Sequence, residues 1–316
     1  MFDPLPVVLL MGPTASGKSE LAVSLARRIN GEIISVDSSL VYRGMDIGTA
    51  KPPLELRAEI PHHLIDILDP AQSFSAGEFR NQALKLIEAV IQRGRLPILT
   101  GGTMLYFHAL LNGLAELPVA DSMVRAEIDQ EARQVGWHAM HRKLAKIDPW
   151  SAVRIHPNDV QRIQRALEVY AVSGKSLSDW IGENRQSPFP FAKVSLIVAP
   201  KDRAILHRRI ERRFYQMLEQ GFIEEVRALY QREDMQPDLP SMRSVGYRQI
   251  WSYLAGEIDR NTMISRAIVA TRQLAKRQFT WLRKYQDAVW LDAEDSQLTQ
   301  AAIDKITCNI NGLLDL

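Results

Sequence analysis

The chain has 316 residues, of which 46% are hydrophobic and 24% are charged, a composition typical of a soluble globular protein with about two domains. Its 39 basic and 37 acidic side chains leave a net charge of +2, which taken alone argues against strong nucleic-acid binding. The single cysteine, Cys308, excludes an intramolecular disulfide bond and a cysteine-based zinc site. Because no stretch reaches about 18 apolar residues and no signal sequence is visible, we expect a cytoplasmic protein without a membrane span.

Short apolar runs alternate with helical patterns along most of the chain. The runs are continuous rather than alternating, as in parallel strands buried on both faces. They cover residues 7–11, 33–36, 64–68, 97–100, 194–199 and 288–291. Helical periodicity covers residues 18–29, 76–93 and 104–111. The alternation predicts an α/β core with a doubly wound parallel sheet.

The alternation stops between about residues 117 and 193. This stretch contains helical patterns at 121–135 and 158–172 and ends in a Pro-Phe-Pro sequence at 188–190. We therefore predict an all-helical domain, residues 118–193, inserted into a core made of residues 1–117 and 194–316.

The first predicted strand leads into the pattern G-x-x-x-x-G-K-S, and a predicted helix follows it. Glycines let the backbone wrap closely around phosphate oxygens, and the amides and the helix N-terminus then face the anion. The lysine adds a positive charge, and the serine hydroxyl can hold Mg²⁺. The residues of this diphosphate loop are Gly12, Pro13, Thr14, Ala15, Ser16, Gly17, Lys18 and Ser19. The pattern predicts a P-loop NTPase-like core that binds a diphosphate, but it does not identify the rest of the ligand.

Two aspartates lie in or after apolar runs. Asp37 follows the second predicted strand, where a carboxylate can act as a general base or a metal ligand, or can cap the next turn. Spacing alone does not decide between these roles. Asp66 lies inside the run 64–68 and is either a metal ligand or a carboxylate that tethers a loop.

Positive charge is concentrated in one part of the chain. Residues 201–285 contain 17 basic and 10 acidic side chains, whereas residues 286–316 contain one basic and six acidic ones. Between Arg260 and Lys284 there are seven basic residues and no acidic one. On a helical projection Arg272, Lys276 and Arg283 lie within about 40° of each other and, with an adjacent basic stripe at Arg266, Arg277 and Lys284, they face away from an apolar stripe. Such a basic amphipathic helix binds a phosphate backbone, a membrane or a calmodulin-like partner, or is simply solvated, and we predict backbone binding.

Further motifs, taken together with the diphosphate loop and residues 37–52, resemble the tRNA dimethylallyltransferases, also called tRNA isopentenyltransferases. These motifs are residues 61–66, 101–106, 154–159, 161–168, 243–248 and 276–283. The resemblance spans about residues 5–292. Many members have glutamine where this chain has Leu40, so the resemblance implies no side-chain amide contact there. The lone Cys308 cannot form the zinc finger of eukaryotic members, so the chain resembles the bacterial type.

The family transfers a dimethylallyl group from its diphosphate to the exocyclic amine of the adenine 3′ to a tRNA anticodon. The resemblance implies dimethylallyl diphosphate and the tRNA anticodon stem-loop as partners, Mg²⁺ on Ser19, and a monomer. It implies Asp37 as the base that takes the amine proton, with Thr14, Lys18 and Arg213 around the diphosphate. The tRNA contacts that it implies are Asp37, Ser38, Ser39, Leu40, Thr103, Arg125, Gln161, Arg162, Ile163, Gln164, Arg165, Arg243, Ser244, Val245, Gly246, Tyr247, Arg248, Lys276, Arg277, Gln278, Phe279, Thr280, Trp281, Leu282 and Arg283.

Two other functions fit parts of the sequence. A P-loop kinase that uses ATP on a small molecule explains the diphosphate loop and Asp37, but not the acid-free basic helix. An RNA-binding module with a structural nucleotide explains the helix but leaves Asp37 without a role. The aromatic residues Tyr106, Phe107 and Trp281 offer surfaces for base stacking, although core packing is the simpler interpretation.

Overall fold

The computed structural model describes residues 6–115, 117–183 and 188–314, with side chains up to residue 308. Contacts divide the chain into two compact units, Met1–Leu111 with Pro190–Leu316 and, between them in sequence, Asn112–Phe189. We refer to them as the larger unit and the helical unit. The assignment of residues 118–193 as a domain that contacts tRNA stays a prediction.

The elements follow the alternation that the sequence predicts. The strands are β1 (Val7–Met11), β2 (Gly31–Val36), β3 (His62–His63), β4 (Leu96–Gly101), β5 (Lys193–Ala199) and β6 (Val289–Asp292). The helices are α1 (Lys18–Arg28), α2 (Leu54–Glu59), α3 (Ala76–Gln92), α4 (Met104–Asn112), α5 (Ser122–Val135), α6 (Trp137–Ile147), α7 (Pro149–Arg154), α8 (Val160–Ser173), α9 (Leu177–Glu183), α10 (Arg203–Glu219), α11 (Phe222–Tyr230), α12 (Tyr247–Leu254), α13 (Arg260–Leu282) and α14 (Leu298–Leu314). In the described part of the chain, no helix is both long and apolar enough to span a membrane.

The larger unit is built on one parallel sheet. Its six strands, counted among the described residues, have the order β3-β2-β4-β1-β5-β6, with β1 paired to β4 and β5. All five residues of β1 are buried, because the central strand of a parallel sheet is covered on both faces. This confirms the predicted doubly wound, P-loop-like core.

The predicted strand at residues 64–68 is wrong. The edge strand is β3, which ends at His63, and the following residues form bends. Leu64 has φ +62° and Asp66 has φ +56°, conformations that no β-strand contains. The run forms an irregular loop in which Leu64 and Ile65 are buried, and the pattern of apolar residues alone does not indicate positive φ angles.

Two of the apolar clusters among the described residues of the larger unit position the site. One packs α1 and α14 on the sheet and includes Leu25, Leu196 and Ile306. The other joins residues 41–45, which follow β2, to α10, α11, α12 and α13, with Tyr42, Phe222 and Tyr247 almost fully buried. Because the second cluster joins the segment after β2 to the C-terminal helices, it brings distant parts of the sequence to one edge of the sheet.

The helical unit has an apolar core of its own. Helices α5, α6 and α8 contribute Ile128, Met140, Leu144 and Ile163 to it. The N-terminus of α5 is capped by Asp121, whose carboxylate accepts the N–H groups of residues 123 and 124. The predicted helices 121–135 and 158–172 correspond to α5 and α8.

Candidate active site and nucleic-acid interface

The diphosphate loop connects β1 to α1. Gly17 precedes α1 with φ +88°, and a Cβ on Gly12 would lie 2.5 Å from the carbonyl oxygen of Val198. Both positions therefore need glycine, the first for its backbone angle and the second for space. Lys18 Nζ donates to the carbonyl of Pro13 at 3.2 Å, so the lysine folds back over the loop.

Two cations at this loop are poorly solvated. Burial lowers the pKa of Lys18 to about 8, while the charge of Asp37 counteracts the shift and that of Arg213 adds to it. Burial also lowers the pKa of Arg213, against the charges of Glu20 and Asp37. The Arg213 guanidinium donates to Thr14 Oγ1 and so connects α10 to the loop. An anion bound here would stabilise both cations.

Asp37 lies at the carboxyl end of β2 and has a capping contact. Its Oδ1 accepts the N–H of Ser39 at 2.8 Å. Thr103, which follows β4, accepts the N–H of Ser38 on its hydroxyl at 3.0 Å and donates its own N–H to the carbonyl of Val36. The capping role that the sequence left open is therefore present. It uses one carboxylate oxygen, and Asp37 also lines the cavity described next.

A cavity of about 660 Å³ in the larger unit collects the candidate catalytic residues. Thr14, Lys18, Ser19, Asp37 and Arg213 all line it. The rest of the lining includes many apolar side chains, among them Leu40, Ile65, Ile210, Phe214, Met217, Phe222, Val245 and Leu274. The cavity thus combines a charged region with an apolar wall.

Glu225, on α11, holds one rim of the cavity and was not singled out by the sequence. Its carboxylate accepts the N–H groups of Asp46, Ile47 and Gly48 at 2.7–3.1 Å and the hydroxyl of Tyr247 at 2.5 Å. Burial and the adjacent carboxylate raise the pKa of Tyr247, which keeps it as a donor. No local motif identifies Glu225, because its backbone partners lie 177–179 residues earlier in the chain.

Asp66 has the tethering role. Its carboxylate accepts Lys51 Nζ at 2.5 Å and Arg57 Nη1 at 2.6 Å. Burial alone would raise the pKa of Asp66, but the hydrogen bonds from Lys51 and Arg57 outweigh it and hold the pKa below its usual value. The contacts fix the segment around residues 46–66, and a metal-ligand role is not needed to explain this aspartate.

Helix α13 has the two faces that the sequence predicts. Its apolar side is buried and includes Ile264, Ile268, Ala275 and Leu282. The basic side chains exposed on the other side, including two just beyond the helix, are Arg266, Lys276, Arg277, Arg283 and Lys284. Arg272 differs from them, because its guanidinium donates to Glu211 at 2.8 Å and its charge is balanced.

Several of the implied tRNA contacts have buried side chains. Gln278 and Leu282 face inward on α13, Tyr247 belongs to the second apolar cluster, and Ile163 belongs to the core of the helical unit. These four side chains therefore pack inside the protein and support the exposed residues around them, rather than being exposed themselves.

The exposed side chains of the segment 243–248 are Arg243 and Arg248. Ser244 is within 3.0 Å of Ser39, hydroxyl to hydroxyl, so this segment meets the residues that follow Asp37. Tyr106 stacks on Phe79 with ring centroids 4.4 Å apart, and Phe107 is fully buried, so both are core residues. Trp281 is only half-buried, and the Lys284 ammonium lies 4.8 Å from its ring centroid.

In the helical unit, Glu168 organises two of the implied tRNA contacts. Its fully buried carboxylate accepts from Arg125 at 2.8 and 3.1 Å and from Arg165 at 2.7 Å. Burial raises the pKa of Glu168, but the hydrogen bonds from Arg125 and Arg165 lower it overall. Gln164 donates to Asp129, while Gln161 and Arg162 are exposed. The two arginines keep partly exposed guanidinium groups in fixed orientations.

Comparison with known proteins gives one consistent family. The family model described as IPP transferase matches residues 40–285. A tRNA dimethylallyltransferase of Methylococcus capsulatus is 57% identical over 96% of this chain and 98% of its own length, and one of Thioalkalivibrio sulfidiphilus is 59% identical over 94% and 92%.

Solved structures agree with these sequence matches. A tRNA isopentenylpyrophosphate transferase of Bacillus halodurans has a TM-score of 0.70 and 38% identity, covering 97% of this chain and 98% of its own. A eukaryotic dimethylallyltransferase, described as acting on tRNA, has a TM-score of 0.80 and 30% identity, covering 94% and 77%.

Proposed function

Because the chain belongs to the IPP transferase family, we propose that it transfers a dimethylallyl group from dimethylallyl diphosphate to tRNA. The acceptor is the exocyclic amine of the adenine immediately 3′ to the anticodon, and diphosphate is released. The observation that supports this best is the cavity in which the diphosphate loop, Asp37 and Arg213 lie beside an apolar wall. A prenyl diphosphate has the same two parts, an anionic head and an apolar tail.

The head of the donor would bind at the charged region of the cavity. Lys18 and Arg213 already line this region before a ligand binds, and Arg213 is hydrogen-bonded to Thr14. The tail would lie against apolar side chains such as Leu40, Phe214 and Val245. A kinase reaction gives the apolar wall no comparable use, since a phosphate acceptor is polar.

The proposed reaction exchanges one bond for another at the allylic carbon. The bond from this carbon to the diphosphate oxygen breaks, the bond to the amine nitrogen forms, and the amine proton passes to Asp37. Negative charge grows on the leaving diphosphate, where Lys18 and Arg213 stabilise it, and such preorganised electrostatics are usually the largest catalytic contribution. A general base adds about 10²–10⁴-fold, which matters because the adenine amine is a weak nucleophile.

Mg²⁺ fits the residues of this site as a partner of the diphosphate. The described residues contain no group of three His, Cys, Asp or Glu that could bind a metal by itself. Ser19, Ser35 and Thr100 offer hydroxyls at the cavity, and those of Ser35 and Thr100 have no hydrogen-bond partner among the described residues. Mg²⁺ commonly takes few protein oxygens, substrate phosphates and water. We propose Ser19 as its protein ligand, and the ion would neutralise diphosphate charge.

The tRNA would contact exposed basic side chains. In the larger unit these are Arg243, Arg248, Lys276, Arg277 and Arg283, and in the helical unit Arg162. Arg125 and Arg165, which are half-buried and paired with Glu168, would contribute oriented hydrogen-bond donors rather than unbalanced charge. Bases of an anticodon loop are less costly to unstack than bases in a duplex, so the target adenine can enter a cavity. We propose a cytoplasmic monomer, since tRNA is cytoplasmic and one chain supplies the cavity residues.

The test is transfer of labelled dimethylallyl from its diphosphate to an anticodon stem-loop with adenine 3′ to the anticodon. We expect label in this RNA and none in a control stem-loop with guanine at that position. A parallel reaction offers γ-labelled ATP with candidate small-molecule acceptors. Phosphate transfer from ATP without prenyl transfer would overturn the proposal in favour of a kinase, and RNA binding without either transfer would favour a binding module.

A further inference from the structure

Gln278 lies on the buried side of α13 and joins two loops that are far away in sequence. Its Oε1 accepts the N–H of Thr14 at 2.9 Å, and its Nε2 donates to the carbonyl of Gly102 at 2.8 Å. The side chain is 6% exposed. Both ends of the amide are therefore engaged inside the protein, and this residue of the implied tRNA segment has a different role from its exposed neighbours.

The contact with Gly102 is closely fitted. A Cβ at this position would lie 2.4 Å from Gln278 Nε2, which is shorter than a non-bonded contact allows. Only glycine therefore lets the amide reach the Gly102 carbonyl in this arrangement. The next residue is Thr103, whose hydroxyl accepts the N–H of Ser38 beside Asp37.

One side chain thus connects the two halves of the candidate site. On one side it holds the backbone of the diphosphate loop at Thr14, where Arg213 is also attached. On the other side it holds the turn that supports the segment of Asp37. Gln278 belongs to the same helix as Lys276 and Arg277, whose side chains are exposed on its basic face.

We infer that Gln278 is a positioning residue that links RNA binding on α13 to diphosphate binding in the cavity. The inference rests on the proposed function, because it takes the basic face of α13 as a site for tRNA. RNA on that face fixes the helix, and the Gln278 amide then fixes the loop that receives the diphosphate. The two ligands should therefore bind with positive cooperativity, which disappears when the amide is removed.

The experiment measures the affinity of the full-length chain for inorganic pyrophosphate with Mg²⁺, by calorimetry, without and with a saturating anticodon stem-loop. In the unmodified chain we expect the stem-loop to tighten pyrophosphate binding by about 5-fold or more. In Gln278→Ala this factor should fall to about one, and pyrophosphate alone should bind more weakly. Gln278→Glu keeps the acceptor for Thr14 but cannot donate to Gly102, so its factor should lie between the two.

The matched control is Gln273→Ala, since Gln273 is an exposed glutamine on the same helix. It should keep the full factor. Gly102→Ala displaces the same amide from the opposite side, so the stem-loop should no longer increase its pyrophosphate affinity. This second variant keeps the test decisive if Gln278→Ala fails to fold. A purely structural role would lower the unfolding temperature without changing the factor.

The inference is overturned if Gln278→Ala, folded, keeps the factor of the unmodified chain, or if the unmodified chain has no such factor. None of these measurements needs prenyl transfer. Cooperative binding of pyrophosphate and stem-loop without transfer of label would therefore contradict the proposed function and leave the inference standing.

Discussion

The charges of Lys18, Arg213 and Asp37 depend on one another. Burial disfavours the charged forms of Lys18 and Arg213, and the carboxylate of Asp37 offsets part of that cost for both. If Asp37 takes up a proton, this compensation is lost unless another anion is present. In the proposed reaction the bound diphosphate supplies that negative charge beside Lys18 and Arg213.

Asp37→Asn separates the two roles of this side chain. Asparagine keeps an oxygen that can accept the Ser39 N–H, as Oδ1 does now at 2.8 Å, but it cannot take a proton as a base. We expect turnover to fall by about 10²–10⁴-fold while stem-loop affinity changes little. Asp37→Ala loses both roles and should be at least as slow. Single-turnover rates of transfer and RNA-binding affinities measure the two effects. Normal turnover in Asp37→Asn would show that Asp37 only caps the Ser39 N–H and is not the base.

The pKa of Lys18 gives the binding of diphosphate a pH dependence. With a pKa of about 8 in the free protein, Lys18 is mostly protonated at pH 7 and mostly neutral at pH 9. A diphosphate prefers the protonated form, so pyrophosphate affinity should fall as the pH rises through about 8. Lys18→Arg stays protonated and should lack this component. Calorimetry of the unmodified chain and of Lys18→Arg from about pH 6.5 to 9.5 measures the pyrophosphate affinity. Pyrophosphate itself titrates equally in both experiments, so the same pH dependence in the two proteins would show that Lys18 is not its cause.

At the scale of elements, one helix serves two purposes. The inner face of α13 packs in apolar clusters and carries Gln278, while its outer face carries basic side chains that no acidic residue of the helix balances. Arg272, in contrast, is paired with Glu211 of α10. A partly exposed ion pair of this kind adds little stability to the fold. It does neutralise the charge of Arg272, which is then less available to RNA phosphates.

This difference predicts unequal effects of two arginine substitutions. Arg277→Ala should weaken stem-loop binding and reduce the slope of log affinity against log salt by about 0.7–0.9, the value for one phosphate contact. Arg272→Ala should change the slope less, because its guanidinium is already paired. Binding isotherms at several salt concentrations provide the slopes. Equal slopes for Arg277→Ala and the unmodified chain would mean that the basic face of α13 is simply solvated and does not bind RNA phosphates.

At the scale of the whole molecule, the sequence predicts what local pattern determines. The buried strands, the diphosphate loop and the amphipathic α13 follow from periodicity and turn chemistry, and all three are present. The loop at 64–68 could not be predicted, since its positive φ angles depend on the contacts of Lys51 and Arg57 with Asp66. Glu225 was missed, and Gln278 was expected only as a tRNA contact, for a similar reason: each acts on backbone groups that only the folded chain brings within reach.

The distribution of the cavity lining predicts where a bound donor changes backbone motion. The lining comes from the larger unit, from segments as far apart as Thr14 and Leu274. Dimethylallyl diphosphate should therefore slow amide hydrogen exchange in residues 12–19, 37–50 and 244–247, and leave exchange in α5 to α9 unchanged.

The segment 46–48 is the most informative, because its amides are hydrogen-bonded to Glu225 at the rim and a filled cavity limits their opening. Exchange measured by mass spectrometry with Lys18→Ala as the control, which should show no slowing, tests this. Equal slowing in the helical unit, or none at 46–48, would mean that the donor binds elsewhere.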